Sequence, residues 1–293
     1  MSVQLLRILS RMLSWLPLRT NQAVGAALGH LAWRLSSRQR HITEVNLKLC
    51  FPDMSDAERH ELAHQSLMQT GRQLTECAWI WHRPVQQTLD RIVEVRGQAL
   101  LDEARASGKG IIMVSPHVGN WELCLLPLSR QSEFTYFYRS PRQPGMDDLL
   151  VGWRAHLGGK PAALTASGIR EGLKILKSGG TVGILPDQEP DRQNGVFVTF
   201  FNHPALTMTL LSRLAHRSGA HVLFCVAERL PAGRGWRFHI LPAEEAISSE
   251  DLSIATAALN RGVETCIALC PAQYLWDYKR FNTPEDGSRR PYA

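Results

Sequence analysis

The stretch "IIMVSPHVGNWELCLL" (111–126) joins an apolar run to a group of polar side chains at its carboxyl end. The run 111–115 predicts a buried strand, and Pro116 ends it because proline donates no ladder hydrogen bond. In open α/β sheets, reactive groups collect at the carboxyl ends of the strands. His117 and Glu122 therefore stand where such a sheet would carry its chemistry.

The spacing of this pair suggests how the two side chains meet. Positions five apart on a regular helix differ by about 140° and do not face each other. We therefore predict that His117 lies on a turn and that Glu122 lies in the first turn of a helix N-capped by Asn120. The carboxylate would then accept from one imidazole nitrogen and leave the other free to take a proton. A plainer alternative is a loop histidine beside a first-turn carboxylate that the helix dipole favours.

No serine or cysteine nucleophile with a convincing turn accompanies the pair. Ser115 precedes the histidine, but the surrounding residues do not form a GxSxG elbow. A base at His117 would therefore act directly on a substrate hydroxyl.

Outward from this stretch, predicted strands alternate with predicted helices. This alternation is typical of an α/β fold with a central sheet covered by helices. Ser55 and Glu58 form a capping box for one long helix, Ser249 caps another, and the segment 195–201 is ambiguous. Strands are predicted at 92–95, 111–115, 134–140, 181–186, 221–229 and 236–241, and helices at 55–82, 97–107, 167–180, 205–219 and 249–269.

Composition sets broad bounds on the function. The 293 residues are 44% hydrophobic and 20% charged, which suits a globular protein, and the formal net charge is +6. A basic balance permits nucleic acid, an anionic membrane or an acidic partner, and does not choose among them. The six cysteines form no CxxC pair, so we expect reduced core residues and no structural zinc site.

The amino-terminal segment 1–20 is apolar but interrupted by Arg7 and Arg11. A spanning helix needs about 20 mostly apolar residues, and a secretory signal needs a cleavage site that is missing here. The pattern favours an amphipathic helix in the membrane interface, with Trp15 at headgroup depth. A terminal helix docked on the core and a spanning helix stay open as alternatives. The apolar residues at helical spacing are Leu5, Leu6, Leu9, Met12, Leu13 and Leu16.

A second helix is predicted in the segment 21–41, where Gly25 and Gly29 lie four apart and would allow close helix packing. We see no linker that would split the chain after residue 90. The predicted organisation is a pair of membrane-associating helices at 1–41, an α/β domain at 42–284 and a loose polar tail at 285–293.

At this point the sequence resembles a known family. The segment His117-Val-Gly-Asn-Trp-Glu122 resembles the H-x4-D/E motif of acyl-chain acyltransferases, and its H-x-G-N-W-E form is similar to the late acyltransferases of bacterial lipid A biosynthesis. Asn202 stands where that family often has glycine. The similarity extends over about residues 5–284, in blocks at 44–59, 136–144, 168–190, 195–209 and 271–283.

The resemblance implies a glycerolphosphate-acyltransferase-like fold with a mixed, mostly parallel sheet. It implies transfer of a fatty acyl group from an acyl carrier protein thioester to a hydroxyl of a lipid A precursor. His117 would be the general base and Glu122 would orient it, while backbone N–H groups near Gly119 and Asn120 are candidate oxyanion donors. No metal or cofactor is expected, because a thioester is already activated. The implied partners are the acidic carrier protein, the precursor glycolipid and the cytoplasmic face of the bacterial inner membrane.

Further basic residues match the family. Arg139 and Arg170 correspond to family arginines, and Asp187 corresponds to the aspartate of its Pro-Asp-Gln block. Arg139 would either bind a phosphate through its guanidinium fork or form a salt bridge with Asp187. Lys279 and Arg280 are expected on a surface for anionic ligands.

Two other functions stay open. An acyltransferase acting on another glycolipid or a phospholipid would use the same histidine and carboxylate. A non-catalytic, membrane-associated lipid-binding protein would not need His117 and Glu122, which are both present. Nucleic-acid binding is not expected, because the positive charge is spread along the chain and no zinc-finger or RNP-like motif occurs.

Overall fold

A computed structural model describes residues 3–126, 133–139 and 145–292 of the chain. The predicted alternation of strands and helices is confirmed over most of the described residues. The helices are α1 (Val3–Trp15), α2 (Leu18–Leu35), α3 (Ser37–Cys50), α4 (Asp56–His82), α5 (Val85–Leu89), α6 (Gln98–Ala106), α7 (Met146–Arg154), α8 (Ala166–Lys177), α9 (Leu210–Ser218) and α10 (Leu252–Leu269). The strands are β1 (Ile92–Arg96), β2 (Ile111–Val114), β3 (Phe134–Tyr138), β4 (Lys160–Ala163), β5 (Thr181–Ile184), β6 (Gly195–Phe200), β7 (His203–Met208), β8 (His221–Arg229) and β9 (Trp236–Pro242). The predicted strand 134–140 ends at Tyr138, and its residue 140 lies outside the described residues.

The central sheet has seven strands in the order β1-β9-β8-β2-β5-β3-β4. Only the β8–β9 pair is antiparallel, so the predicted mixed, mostly parallel sheet is confirmed. Strand β2 lies in the middle and all four of its residues are buried, as a strand covered on both faces requires. Its carboxyl end therefore lies at the centre of one sheet edge.

The two faces of the sheet bury separate apolar clusters. Ile112 and Val114 of β2 point into one cluster, and Ile111 and Met113 point into the other, as strand alternation dictates. Helices α8, α9 and α10 cover the first face, which we call the α8–α10 side. Helix α6 and the last turns of α4 cover the second face, which we call the α4–α6 side.

The segment predicted as a helix at 205–219 divides into a strand and a shorter helix. Ala205–Met208 belongs to β7, which pairs with β6 in an antiparallel hairpin, and α9 begins only at Leu210. The turn between the strands places Phe201 and Asn202 at φ 46° and 64°. Asparagine tolerates this left-handed conformation better than most residues, which explains why it can replace the family's glycine.

Helix caps were predicted with mixed success. The capping box of Ser55 and Glu58 is confirmed at the start of α4. The predicted cap at Ser249 is wrong, because α10 begins at Leu252 and Asp251 accepts from the backbone N–H of Ser253. An aspartate two residues later offers the same acceptor with a charge that favours the helix amino terminus.

The close packing predicted for the amino-terminal glycines is confirmed. Helix α2 packs along α4, and a Cβ at Gly29 would overlap the carbonyl oxygen of Leu67. Gly71 of α4 meets the backbone of Gly25 in the same way. Two helix backbones can approach this closely only where side chains are missing.

Helices and hydrogen bonds cross both of the predicted domain limits. Helix α3 runs without interruption through residue 41, the predicted boundary, and its Asn46 donates to the carbonyl oxygens of Trp276 and Tyr278. The tail predicted to be loose is anchored near its end, where buried Tyr292 donates to Asn46 Oδ1 and accepts from the N–H of Phe281.

Helix α1 buries two serines and exposes several large apolar side chains, the reverse of a usual surface helix. Ser10 and Ser14 are buried, and Ser10 Oγ lies 2.9 Å from His82 Nε2 on α4. The predicted apolar stripe is divided: Leu6, Leu13 and Leu16 are half-buried against the body. The exposed apolar residues of α1 are Leu5, Ile8, Leu9, Met12 and Trp15. Among the described residues, no helix combines the length and apolar character that crossing a bilayer requires.

Substitution of Gly29 should reveal how tightly α2 and α4 are packed. We expect Gly29→Ala to lower the free energy of unfolding by about 1–3 kcal/mol, because the new methyl group forces the helices apart. Gly152→Ala is the matched control, since this helical glycine in α7 has open space around it and alanine favours helix by up to about 1 kcal/mol. Urea unfolding measures both. Equal effects of the two variants would contradict the close crossing.

Candidate active site

His117 lies beside Asp187 at the carboxyl edge of the sheet. Strands β2 and β5 are parallel neighbours in which Val114 lies opposite Ile184. His117 and Asp187 each follow three residues later, so the matched register brings them to the same level. His117 Nδ1 lies 2.8 Å from Asp187 Oδ1, and the backbone N–H of His117 donates to Asp187 Oδ2 at 3.0 Å.

The charge on Asp187 determines the tautomer of His117. Burial alone would raise the pKa of Asp187, but its interactions with His117 outweigh burial and hold that pKa below its usual value. An ionised carboxylate can only accept, so Nδ1 carries the proton, and in the neutral imidazole Nε2 is the nitrogen that can accept one. Gln188 Nε2 lies 3.4 Å from this nitrogen, and the ring of Trp121 packs edge-on against the imidazole.

Glu122, predicted to orient His117, has other partners. Its carboxylate accepts from the indole Nε1 of Trp81 at 3.0 Å, and from Nε of Arg154 at 2.8 Å as well as from Nη2 of the same guanidinium. The residues Trp121–Leu125 form a short 3-10 helix rather than the predicted α-helix, and the side chain turns towards α4 and α7. A guanidinium can donate two parallel hydrogen bonds to a carboxylate, whereas an imidazole nitrogen can donate only one. The orienting contact to His117 is therefore made by Asp187.

The ion pair of Glu122 and Arg154 is largely enclosed. The Glu122 side chain is 3% exposed and that of Arg154 is 20% exposed. Burial alone would lower the pKa of Arg154, but the neighbouring carboxylate of Glu122 raises it above its usual value. The positive charge of Arg154 is thus held in the site, and the guanidinium lies on the wall of the adjoining cavity.

The loop residues Gly119 and Asn120 serve a different purpose from the predicted one. The N–H of Gly119 donates to the carbonyl of Gln273 at 3.0 Å, and that of Asn120 donates to the carbonyl of Ala227 at 2.8 Å. These N–H groups are occupied, so they do not form the predicted oxyanion hole. The side chain of Asn120 makes no capping bond either, and instead donates to Glu76 Oε2 at 2.8 Å.

Glu76 belongs to a buried polar cluster behind the histidine loop. Its carboxylate accepts from Nε and Nη2 of Arg229 at 2.6 and 2.7 Å, and neither side chain has appreciable exposure. Arg229 also donates from Nη2 to Gln73 Oε1 and from its backbone N–H to Gln273 Oε1. This cluster ties α4 and the end of β8 to Asn120, and so fixes the loop that carries His117.

An open cavity of about 1050 Å³ adjoins His117. Polar side chains, including His117, Glu122 and Gln188, lie on its wall, as do the cations Arg139, Arg154, Arg213 and Arg217. Much of the remaining lining is apolar and comes from β3, β5, β7, α7, α8 and α9 and from the residue that follows β4. These residues include Phe137, Leu150, Leu164, Ile169, Leu173, Ile184, Met208, Leu210 and Leu214. The volume lies at the upper end of the range for small-molecule sites, and the lining suits a long apolar group with a polar end.

The other predicted binding residues are distributed unevenly. Arg139 lines the cavity and pairs at 3.5 Å with exposed Asp191, so the alternative of a salt bridge with Asp187 is wrong. Arg170 is exposed on α8 and does not line the cavity. Arg280, expected on an anionic-ligand surface, is buried and donates to Leu206 O and Thr207 Oγ1, both at 2.7 Å.

The predicted state of the cysteines is confirmed. All six are free and buried, and burial raises the pKa of Cys270 to about 12. A thiol with such a pKa is a poor nucleophile. Within residues 3–126, 133–139 and 145–292, no group of three or more His, Cys, Asp or Glu side chains is arranged to hold a metal ion.

Comparison with known proteins places this chain in a family. A profile described as "Bacterial lipid A biosynthesis acyltransferase" matches residues 2–283. The chain belongs to this family of lipid A biosynthesis acyltransferases.

Relatives of this acyltransferase are similar along almost their whole length. It is 32% identical to the lipid A biosynthesis lauroyltransferase of Escherichia coli K12, over 93% of this chain and 88% of the relative. It is 28% identical to the palmitoleoyltransferase (92% and 87%) and 26% identical to the myristoyltransferase (94% and 85%) of the same organism. These relatives are named for different acyl chains, so family membership establishes the type of reaction and does not fix the chain length.

Replacing Arg154 should show how much the burial of the Glu122 carboxylate destabilises the fold when its cation is missing. We expect Arg154→Met to lower the free energy of unfolding by about 3–5 kcal/mol, because a buried carboxylate loses its cation. The double variant Glu122→Gln/Arg154→Met should lose less, and Arg139→Met is the control at an exposed cavity arginine. Chemical denaturation measures all three. A single variant as stable as the Arg139 control would show that the pair is not needed for the fold.

Proposed function

We propose that this acyltransferase moves a fatty acyl group from an acyl carrier protein thioester to a hydroxyl of a lipid A precursor, with His117 as the general base. The observation that carries the proposal is the His117–Asp187 pair, which leaves Nε2 available beside the large, partly apolar cavity. The family membership supports the acceptor class. The donor and the roles of the residues are our inference.

The reaction follows from the geometry of the imidazole. Nε2 of His117 takes the proton of the acceptor hydroxyl while its oxygen attacks the thioester carbonyl. Asp187 keeps Nδ1 protonated and stabilises the imidazolium that forms. Collapse of the tetrahedral intermediate breaks the C–S bond, and the departing thiolate takes the proton from Nε2. The products are an ester and a free thiol, and the histidine returns to its starting state.

Glu122 supports this reaction through Arg154 rather than through the histidine. The carboxylate binds Nε and Nη2 of the guanidinium, which leaves Nη1 outside the bidentate pair. A cation fixed on the cavity wall stabilises negative charge on the reacting carbonyl oxygen or on a phosphate of the glycolipid. The Gln188 amide, beside Nε2 of His117, is a second donor within reach of the reacting groups.

The apolar part of the cavity supports a fatty acyl substrate. Leu173 of α8, Ile184 of β5 and Leu214 of α9 line it from the α8–α10 side of the sheet. Burial of each methylene group stabilises the bound chain by roughly 0.8 kcal/mol, so a long acyl group gains most of its affinity here.

The exposed face of α1 supports a position at the cytoplasmic face of the bacterial inner membrane. In water an amphipathic helix normally buries its apolar side, but α1 buries Ser10 and Ser14 and exposes five of its apolar residues. Exposed Leu28, Leu31 and Leu35 of α2 add further apolar surface. Such a face suits the headgroup boundary of a bilayer, where apolar residues insert and arginines contact anionic lipid.

A direct assay tests the proposed function. The purified protein is incubated with a lipid A precursor and with carrier protein thioesters of several chain lengths, and the lipid product is weighed by mass spectrometry. We expect a mass increase of one acyl group with at least one donor. No product from any carrier thioester, while a phospholipid acceptor is acylated, would contradict the assignment of the acceptor.

The catalytic assignment can be tested by three variants. We expect His117→Ala to reduce kcat by about a hundredfold or more, the scale of losing a general base, and Asp187→Asn to reduce it by about a thousandfold through the wrong tautomer. Glu122→Gln should lower the melting temperature as well, because it weakens the buried pair with Arg154. Near-normal turnover of the Asp187→Asn variant would show that Asp187 does not orient His117.

The proposed chemistry includes no Lewis acid, since the thioester carbonyl is reactive without one. Exhaustive dialysis against a chelator should therefore leave acyl transfer unchanged within error in the mass-spectrometric assay. Loss of activity that only an added divalent ion restores would contradict this mechanism.

The role of the exposed α1 face is tested by replacing its apolar residues. The variant Ile8→Ser/Met12→Ser/Trp15→Ser should bind anionic vesicles at least about a hundredfold more weakly, since each large apolar side chain contributes roughly 1.5–3 kcal/mol when buried. The control carries serine at three exposed apolar positions elsewhere, Val93, Ile254 and Leu269. Cosedimentation at low and high salt measures binding. Equal binding by both variants would place the anchor outside α1.

A further inference from the structure

Five basic residues on α8 and α9 form a strip beside the cavity. Arg170, Lys174 and Lys177 follow one another at helical spacing on α8, and Arg213 and Arg217 lie one turn apart on α9. All five are exposed, and the two helices pack against each other. We call these five residues the basic strip.

The charges of the basic strip are not neutralised within the described part of the chain. No carboxylate there lies within 4 Å of any of the five cations, and the one side-chain partner found is Thr209 Oγ1, which accepts from Arg213. Glu171 lies on α8 three residues before Lys174, and Glu250 lines a small cavity together with Arg213 and Arg217, but neither carboxylate forms an ion pair with the strip. The strip therefore presents an excess of positive charge to solvent.

The strip adjoins the active site directly. Arg213 and Arg217 line the same cavity as His117, and exposed cations on its wall must lie at its rim. On α8, Ile169 and Leu173 line the cavity, and the basic residues follow on the adjoining side of the helix. A molecule bound to the strip could thus extend a group into the cavity.

The strip and the exposed apolar face of α1 lie on opposite sides of the sheet. Helices α8 and α9 belong to the α8–α10 side. Helix α1 packs on α4, and Val3 lies near Gly145 at the start of α7, where an added Cβ would lie 3.8 Å from its side chain. Trp153 of α7 stacks on Trp81 at the end of α4, which places α7 on the α4–α6 side. A bilayer that covers the α1 face therefore leaves the basic strip turned towards a different partner.

We propose that the basic strip is the docking surface for the acidic carrier protein that brings the acyl thioester. This inference rests on the proposed function and adds where the donor binds. The three residues on α8 alone extend over about 10 Å, since each residue adds 1.5 Å of rise, and this is more than one phosphate group covers. An acidic protein surface matches such a row of charges, and the carrier's prosthetic arm would enter the cavity between α8 and α9 and the wall that holds His117.

The test compares two donors and two charge-reversal variants of the full chain. The strip variant is Lys174→Glu/Lys177→Glu, whose residues lie outside the cavity lining. The control is Lys48→Glu/Arg91→Glu, which makes the same change in net charge at two exposed positions, one on α3 and one just before β1 at the far edge of the sheet. Kinetics are measured with an acyl carrier protein thioester and with the coenzyme A thioester of the same fatty acid.

We expect the strip variant to raise KM for the carrier thioester about tenfold or more relative to KM for the coenzyme A thioester, as loss of electrostatic steering does. The control variant should keep the wild-type ratio, and added salt should weaken carrier use more in the wild type than in the strip variant. An unchanged ratio in the strip variant, or an equal change in the control, would overturn the proposal. So would a loss of vesicle binding by the strip variant at an unchanged ratio, since the strip would then bind lipid.

A direct binding measurement separates this proposal from the proposed function. Calorimetric titration of the wild-type and strip-variant proteins with holo acyl carrier protein needs no turnover. If the wild type uses the carrier thioester and both proteins bind the carrier equally, the docking surface is refuted and the proposed function stands. If the wild type uses no carrier thioester, the proposed function fails, and tenfold weaker carrier binding by the strip variant would still support the docking surface.

Discussion

The contact between His117 and Asp187 depends on two parallel strands that end at the same level. Because β2 and β5 are neighbours in register, each residue lies the same distance beyond its strand, and the imidazole meets the carboxylate without help from local sequence. Asp187 binds both the ring and the backbone N–H of His117, so it fixes the position of the loop as well as the tautomer. The rest of the site is built around the one nitrogen that this arrangement leaves free.

Two buried ion pairs hold that loop from opposite ends. Glu76 with Arg229 secures Asn120 from the side of β8, and Arg154 with Trp81 secures Glu122 from the side of α7 and α4. Burying such pairs seldom adds net stability, because removing the charges from water costs about as much as their attraction returns. Their effect is to permit one arrangement only, since any other would leave a buried carboxylate without its donors. In the proposed reaction, a general base that must reach one substrate oxygen needs this restriction more than it needs extra stability.

The sequence was informative where short-range rules decide the structure. The buried strand before Pro116, the capping box of α4 and the close glycine packing of α2 are confirmed. The mixed, mostly parallel sheet is confirmed too, but it was implied by the family resemblance and not by local patterns. The partner of His117 was predicted wrongly, because a spacing of five residues gives proximity along the chain and the true partner lies 70 residues away. A usable signal existed, since Pro186-Asp187 follows the apolar run of β5 as Pro116-His117 follows that of β2. The helix predicted from Ala205 failed for a similar reason, because pairing with β6 outweighs local propensity.

The two unusual surfaces of the protein make physical sense only together. The buried serines of α1 are hydrogen-bonded, for example Ser10 to His82, while five apolar side chains of the helix are exposed. Exposing them to water is unfavourable. The arrangement becomes favourable once that side enters a lipid boundary. In the proposed reaction the acceptor stays in that boundary while the donor arrives on a soluble protein, so one cavity must be reached from two different phases. A cavity between α7 on one side of the sheet and α8 with α9 on the other meets this requirement, because each wall can face its own partner. The cavity lies at the carboxyl ends of the central strands, the one place in such a sheet where both sides and His117 come together.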